Sequence, residues 1–304
     1  MYTMYKTTLK LSTLVLLLSV FLYSCNSTED QSSTTEDEID QEIDKSISED
    51  LNQTKQIFYS LPSPIETAML MKRAGAKYDE NLLNSISNVP NYTTTSKMAL
   101  NLGIYSADLS FVSMLDQSQA SIKFLSATKR LADELGILNA VDQSYITRME
   151  NNINSRDSLM EIISETFMNS NAFLKENKRP ELAAIVLSGG WLEGLYIASQ
   201  ITKNTADNTE LKERILDQRL SLMTLLSLLD KYSENENIKP IHDDFVTIKD
   251  IYDKIKVSSS AAKAVVDEKT NVTVIESKTE STFTDEDFNK LTDLVAQIRN
   301  NYTK

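Results

Sequence analysis

Apolar residues recur at helical spacing along most of the chain beyond residue 50, and the alternation that marks half-buried strands is scarce. The pattern predicts helices at 96–135, 142–153, 158–174, 181–201, 211–231 and 241–255. The segment 181–201 is apolar on almost every face, which predicts a central, buried helix. The segment 211–231 has one apolar and one charged face, which predicts a helix on the outside of the same core.

Local start and stop signals accompany several of these segments. Ser63–Glu66 has the spacing of a capping box, with Pro at the first helical position, and predicts a helix start. Gly136 predicts a Schellman stop for the long segment 96–135, and Gln117–Gln119 predicts a break within it. Thr284–Asp287 predicts the N-terminal cap of a final helix.

Strand-like sequence is confined to one short stretch. Val272–Ile275 consists of β-branched residues and predicts a strand, with Thr279–Phe283 as its partner. The 304 residues include only 6 Gly and 5 Pro, which argues against a turn-dense all-β protein. We therefore expect an all-α fold: a single multi-helix, bundle-like domain over 51–304 with one small β element near 268–283.

The first 25 residues have the composition of an export signal. Lys6 and Lys10 precede an uncharged apolar run of 13 residues at 11–23, shorter than the roughly 20 residues that span a membrane. The run ends in Leu22–Cys25, which resembles the bacterial lipobox. That resemblance implies that residues 1–24 are a cleaved lipoprotein signal peptide and that Cys25 is lipidated with diacylglyceryl and an acyl chain such as palmitate. The alternative is an uncleaved anchor with a buried thiol.

Composition changes abruptly behind Cys25. Residues 26–50 contain ten acidic residues and one basic residue among Asn, Ser and Thr. So few apolar groups cannot bury enough surface to fold, which predicts a disordered acidic tether over 25–50. The tether resembles the surface-export signal of Bacteroidota lipoproteins. Asn26, where inner-membrane retention uses Asp, favours an outer-membrane lipoprotein that is periplasmic or surface-exposed.

The amino-acid composition also argues against several classes of function. One Cys and one His exclude a disulfide framework and a zinc site built from several such ligands. A net charge of -13 argues against nucleic acid as a partner. No phosphate-binding or metalloprotease motif occurs, so we expect no cofactor and no metal. His242 has neighbouring acids but no nucleophile motif, and a solvent-facing position in a first helical turn is expected for it.

A glycine-rich patch at 188–196 is the most distinctive stretch of the chain. It contains three of the six Gly residues, together with Trp191, Glu193 and Tyr196. Each Gly inside a helix destabilises it by about 1 kcal/mol relative to Ala, so three Gly residues close together need an explanation. We expect Gly189-Gly190 to mark the tightest helix–helix approach of the core, with Trp191 filling the adjacent gap. The alternative is a ligand pocket lined by Trp191, Glu193 and Tyr196.

Asp108 is a second unusual residue, because it interrupts an apolar helical stretch. A buried carboxylate must find hydrogen-bond donors or shift its pKa. Asp108 is therefore a further candidate for the ligand pocket. If Asp108 and Glu193 met in space, they could serve as an acid/base pair, which makes a carboxylate-dependent hydrolase the alternative function. Their sequence spacing does not show that they meet.

Together these features resemble a family of Bacteroidota-type exported lipoproteins with a helical domain. The resemblance rests on the lipobox, the acidic tether and the stretches 60–66, 100–109 and 189–191, and it covers nearly the whole chain. It implies an all-helical exported domain and provides no catalytic residue. We therefore expect a lipid-anchored cell-envelope protein, a non-enzymatic binding or structural module. Its expected partners are the membrane, through the anchor, and envelope proteins.

Overall fold

In a computed structural model of the chain, helices account for most of the residues that the structure describes. These residues are 77–137, 143–205, 209–259, 263–267, 272–276, 279–281 and 283–304, with residue 52. The α-helices are α1 (Thr95–Met114), α2 (Ser118–Glu134), α3 (Gln143–Asn151), α4 (Arg156–Glu176), α5 (Pro180–Lys203), α6 (Thr209–Asp230), α7 (Lys239–Tyr252) and α8 (Asp285–Tyr302). Two short 3-10 helices, Glu80–Leu82 and Ile86–Asn91, precede α1. The all-α class predicted from the periodicity is confirmed.

Several helix ends lie where local sequence signals place them. Thr284 caps α8: its Oγ1 accepts a hydrogen bond from Asp287 N at 3.1 Å, and Thr284 N donates to Asp287 Oδ2 at 3.3 Å. Gly136 has a positive φ of 68° after α2, and the following Ile137 N donates to Ala132 O at 2.9 Å, which is the predicted Schellman stop. The predicted break between α1 and α2 occurs at 115–117, where Asp116 also has a positive φ.

Helices α1 and α5 form the most extensive helix pair of the fold, and glycine makes their close approach possible. A Cβ added to Gly189 would lie 2.0 Å from Leu100 O, and one added to Gly103 would lie 2.0 Å from Val186 O. A Cβ on Gly190 would meet nothing closer than Gly103 O at 3.5 Å, an ordinary contact. The backbone of Gly190 also lies at the close approach, since a Cβ added to Gly103 would lie 2.7 Å from Gly190 N. The expected overpacking by a side chain therefore holds for Gly189 but not for a Cβ at Gly190. The partner glycine on α1, Gly103, was not anticipated.

Helix α5 is the central helix of the described fold. It contacts α1, α4, α6 and α8, and nearly all of its apolar side chains are buried. By length and composition it could cross a membrane, the one such helix among the described residues, but 83% of its most apolar window is buried inside the protein. The apolar side chains of α5 are thus satisfied by protein neighbours, as in the core helix of a folded domain.

Four short strands lie between α7 and α8. They are β1 (Val257–Ser259), β2 (Lys263–Asp267), β3 (Val272–Glu276) and β4 (Thr279–Ser281). The ladders are antiparallel, β1 with β4 and β2 with β3, so the predicted pairing of 272–275 with 279–283 is wrong. Ser277-Lys278 lacks the Asn or Gly that a two-residue hairpin turn favours. In the second ladder, Val265 is in register with Val274 and Val266 with Thr273. The expectation of one small β element near 268–283 within the helical domain is not confirmed and stays a prediction.

Several sequence predictions lie outside the described residues. They are the signal peptide 1–24, Cys25, the acidic tether and the capping box at Ser63–Glu66. The described residues from 77 onward fall in one compact unit.

Candidate functional site

Two candidate carboxylates from different helices meet in the interior. Asp108 on α1 and Glu193 on α5 lie beside each other, with Arg299 of α8 and Asn84 of the loop between the 3-10 helices completing the group. We call these four residues the polar cluster. Asp108 and Glu193 have no exposed surface, Asn84 is 1% exposed and Arg299 is 6% exposed. The polar cluster is therefore closed to solvent.

Glu193 and Arg299 form a two-point ion pair. Arg299 Nε donates to Glu193 Oε2 at 2.9 Å, and Arg299 Nη2 donates to Glu193 Oε1 at 2.8 Å. Nη2 also reaches the backbone oxygen of Leu82 at 3.3 Å, and the guanidinium lies 4.7 Å from the centre of the Tyr196 ring. Burial lowers the pKa of Arg299, but the hydrogen bonds and charge of Glu193 outweigh it and raise the pKa above its ordinary value. Both charges are thus compensated inside the core.

Asp108 lacks such a cationic partner of its own. Its Oδ2 accepts a hydrogen bond from Asn84 N at 3.1 Å. Its Oδ1 is buried and has no hydrogen-bond partner among the described residues. Burial and then the charge of Glu193 raise the pKa of Asp108 well above its ordinary value, and the charge of Arg299 lowers it to a smaller extent. Protonation of Asp108 would make its carboxyl group a hydrogen-bond donor to the neighbouring Glu193 carboxylate. The polar cluster then carries no net charge.

An amide network extends from the polar cluster to the C-terminal end of α8. Asn84 Nδ2 donates to Tyr92 Oη at 3.0 Å and to Asn101 Oδ1 at 3.2 Å. Asn101 Nδ2 donates to Tyr302 O at 3.0 Å, and Asn88 Nδ2 donates to Thr303 O at 3.1 Å. These bonds satisfy carbonyl groups that a helix end leaves without partners. They tie the segment before α1 to the last turn of the chain.

The remaining pocket candidates from the glycine-rich patch lie in packed surroundings. Trp191 is 2% exposed, its Nε1 donates to Ser221 Oγ at 2.9 Å, and its ring lies 5.4 Å from that of Phe245. Tyr196 is buried against the Arg299 guanidinium. Trp191 therefore packs towards α6 and α7, while Glu193 and Tyr196 face α8. The structure does not gather the four candidates around one cavity.

Arg299 and Asn84 are members of the polar cluster that the sequence reading missed. Arg299 follows the buried positions Leu291, Val295 and Ile298 of α8, so it continues the apolar side of an amphipathic helix. A charged residue in such a row is the signal that could have identified it. Asn84 lies between two short 3-10 helices, where nothing in the local pattern marks it as buried.

His242 contacts acids on its own helix and on the preceding one. Its Nε2 lies 2.8 Å from Asp230 Oδ1 and its Nδ1 lies 3.4 Å from Asp243 Oδ1. The side chain is 21% exposed, so it is half-buried rather than fully turned to water. The contact with Asp230 joins the first turn of α7 to the last residue of α6.

A separate half-open cavity of about 80 Å³, here called the apolar cavity, lies among α1 to α5. Leu125, Ile163 and Val186 are among the residues on its wall, and none of the sequence-predicted pocket residues lines it. Within the described part of the chain, no group of three or more His, Cys, Asp or Glu side chains is placed to hold a metal ion.

Comparisons with protein-family models, with curated proteins and with solved structures give no match. The chemistry of the polar cluster and of the apolar cavity is therefore the basis for inferring function. The polar cluster is closed to solvent, whereas the apolar cavity opens towards solvent.

Proposed function

We propose that this chain is a lipid-anchored protein of the bacterial cell envelope whose helical domain is a non-enzymatic binding or structural module. Cys25 would carry the lipid, and residues 26–50 would hold the domain away from the membrane surface. Two or more acyl chains give stable anchoring, because each buried CH₂ contributes about 0.8 kcal/mol. The lipobox-like Leu22–Cys25 and the tether composition support the outer membrane as the location.

One observation carries the non-enzymatic part of the proposal. Asp108 and Glu193, the pair on which a hydrolase would depend, have no exposed surface. Glu193 is held by two hydrogen bonds from Arg299, and Asp108 by the backbone N–H of Asn84. A general acid or base must come within hydrogen-bond reach of a substrate proton. This arrangement supports a structural role for the pair: it joins α1, α5 and α8.

Mass spectrometry of the full chain after expression in a bacterial host tests the anchor. We expect a mature protein that starts at Cys25 and has the added mass of a diacylglyceryl group and an acyl chain. The Cys25→Ser variant should retain residues 1–24 and lack the lipid. An unmodified Cys25 with the signal segment still attached in the wild type would contradict the proposal.

Chemical crosslinking of cells, followed by capture of the full chain, tests the module. The Asp108→Asn variant preserves the shape of the side chain and should retain the same envelope partners as the wild type. The Cys25→Ser variant should lose them, because it does not reach the same membrane. Loss of partners in a normally folded Asp108→Asn variant would instead point to chemistry at the carboxylate pair.

A further inference from the structure

Small side chains create the apolar cavity. Ser106 of α1, Ala132 of α2, Ser170 of α4 and Ala183 of α5 line it, so four helices each present a short residue to the same space. Protein interiors are close-packed, and longer side chains at these positions would fill such a void. The cavity is therefore a feature of side-chain choice on four separate helices.

The wall of the apolar cavity is mainly hydrocarbon. The hydroxyls of Ser106, Thr128 and Thr166 donate to the backbone oxygens four residues earlier in their own helices, at 2.7, 2.9 and 2.7 Å. These bonds occupy the hydroxyl protons, so the three residues have no hydrogen-bond donor left for a ligand in the cavity. An apolar cavity of this kind binds apolar molecules rather than water.

One cationic side chain lies on the otherwise mainly hydrocarbon wall of the apolar cavity. Lys129 of α2 lines the apolar cavity, is half-buried and has no ion-pair partner among the described residues. No acidic side chain is among the described residues on the cavity wall. A ligand that satisfies both features has an aliphatic chain and one terminal anionic group.

We propose that the apolar cavity binds an aliphatic carboxylate, with its hydrocarbon chain among α1 to α5 and its carboxylate against the Lys129 ammonium. This inference deepens the proposed binding role and rests on it, but it does not depend on lipidation of Cys25. A cavity of roughly 150 Å³ accepts benzene. About 80 Å³ therefore suits a chain end of a few carbons, with the rest of the molecule in the open mouth.

Isothermal titration of the full-length chain in amphipol tests the proposal. The probes are sodium butanoate, hexanoate and octanoate, together with the primary alcohols of equal length. We expect affinity to rise by up to about fourfold for each added CH₂ until the cavity is filled. We also expect each carboxylate to bind more tightly than its alcohol. Equal affinity across the series, or equal affinity of acid and alcohol, would overturn the proposal.

Matched lysine variants test the carboxylate contact. Lys129→Gln should weaken binding of the carboxylates by about two- to fivefold, as expected for a partly exposed ion pair, and leave the alcohols unchanged. Lys123→Gln removes an exposed lysine from the same helix and should change nothing. An equal effect of both variants would show that Lys129 acts only through the net charge of the protein.

Cavity-filling variants test the location. Ala132→Leu and Ser170→Leu place a larger side chain in the apolar cavity from two different helices, and each should abolish binding while thermal melting shows a folded protein. Full binding in both folded variants would overturn the assignment.

The outcomes for this ligand and for the proposed function can be told apart. If the wild type is lipidated and captures its partners but binds no carboxylate, the ligand proposal is wrong and the envelope module stands. If the chain binds the carboxylates but is never lipidated, only the proposed lipid anchor is wrong.

Discussion

Adjacent glycines of α5 should respond in opposite ways to the same added methyl group. In Gly189→Ala the new Cβ would lie 2.0 Å from Leu100 O and 2.9 Å from its carbonyl carbon. Both atoms belong to the backbone of α1, so the clash cannot be relieved by a side-chain rotation. In Gly190→Ala the nearest atom is Gly103 O at 3.5 Å, which is ordinary van der Waals contact.

The size of the difference follows from two terms. Ala in place of Gly inside a helix stabilises the folded state by about 1 kcal/mol, and both variants gain this equally. Overpacking a core costs about 1–3 kcal/mol, occasionally more, and only Gly189→Ala has that cost. We therefore expect Gly190→Ala to be as stable as the wild type or up to about 1 kcal/mol more stable. Gly189→Ala should be less stable than Gly190→Ala by about 1–3 kcal/mol or more.

Urea unfolding of the full chain, followed by circular dichroism at the helical band, measures this difference. Gly194→Ala is the matched control, because a Cβ there would meet nothing within 4 Å, and it should be stabilising like Gly190→Ala. Equal free energies of unfolding for Gly189→Ala and Gly190→Ala would refute the close α1–α5 contact. The opposite order would place the tight approach at Gly190.

The remaining predictions concern the polar cluster and the core. The folded chain keeps the Asp108 proton that the unfolded chain releases above about pH 3.9. The free energy of unfolding should therefore fall as pH rises towards the raised pKa of Asp108. This group contributes at most about 1.4 kcal/mol per pH unit to that fall. Asp108→Asn should remove that component, which urea unfolding at several pH values would show; an unchanged slope would mean that Asp108 is ionised. Arg299→Gln should cost about 3–5 kcal/mol by leaving Glu193 buried without its partner, and Glu193→Gln combined with it should recover part of the loss in the same assay. Trp191→Ala should lower the free energy of unfolding by about 3–5 kcal/mol, and an unchanged melting temperature would contradict its core position.

Much of the helical architecture could be predicted from local sequence. The Thr284–Asp287 cap acts through bonds between side chains and backbone three residues apart, and the stop at Gly136 through backbone bonds three to five residues apart. The sequence around each of them therefore contains the whole interaction. The burial of α5 is likewise visible in its nearly continuous apolar composition. Signals of this kind depend on the helical period and on capping, which operate within a few residues of the chain.

The candidate site could be predicted only in part. The sequence marked Asp108 and Glu193 as unusual because each carboxylate lies in an apolar helical stretch, where it needs a partner. It did not show that they meet, since 85 positions separate them and the packing of α1 on α5 decides the contact. It also missed Arg299, because a single arginine on an amphipathic helix looks the same whether it faces water or a buried carboxylate.

Tertiary packing alone decided the glycine contacts, the strand partners and the cavity. Gly189 and Gly190 are identical in sequence terms, and only the position of the α1 backbone makes one indispensable and the other replaceable. The apolar cavity exists because short residues on four helices face a common space. Local sequence determined which segments are helical and where they end, because those interactions are short-range. Helix packing determined which groups are neighbours, because it depends on the fit of surfaces far apart in the chain.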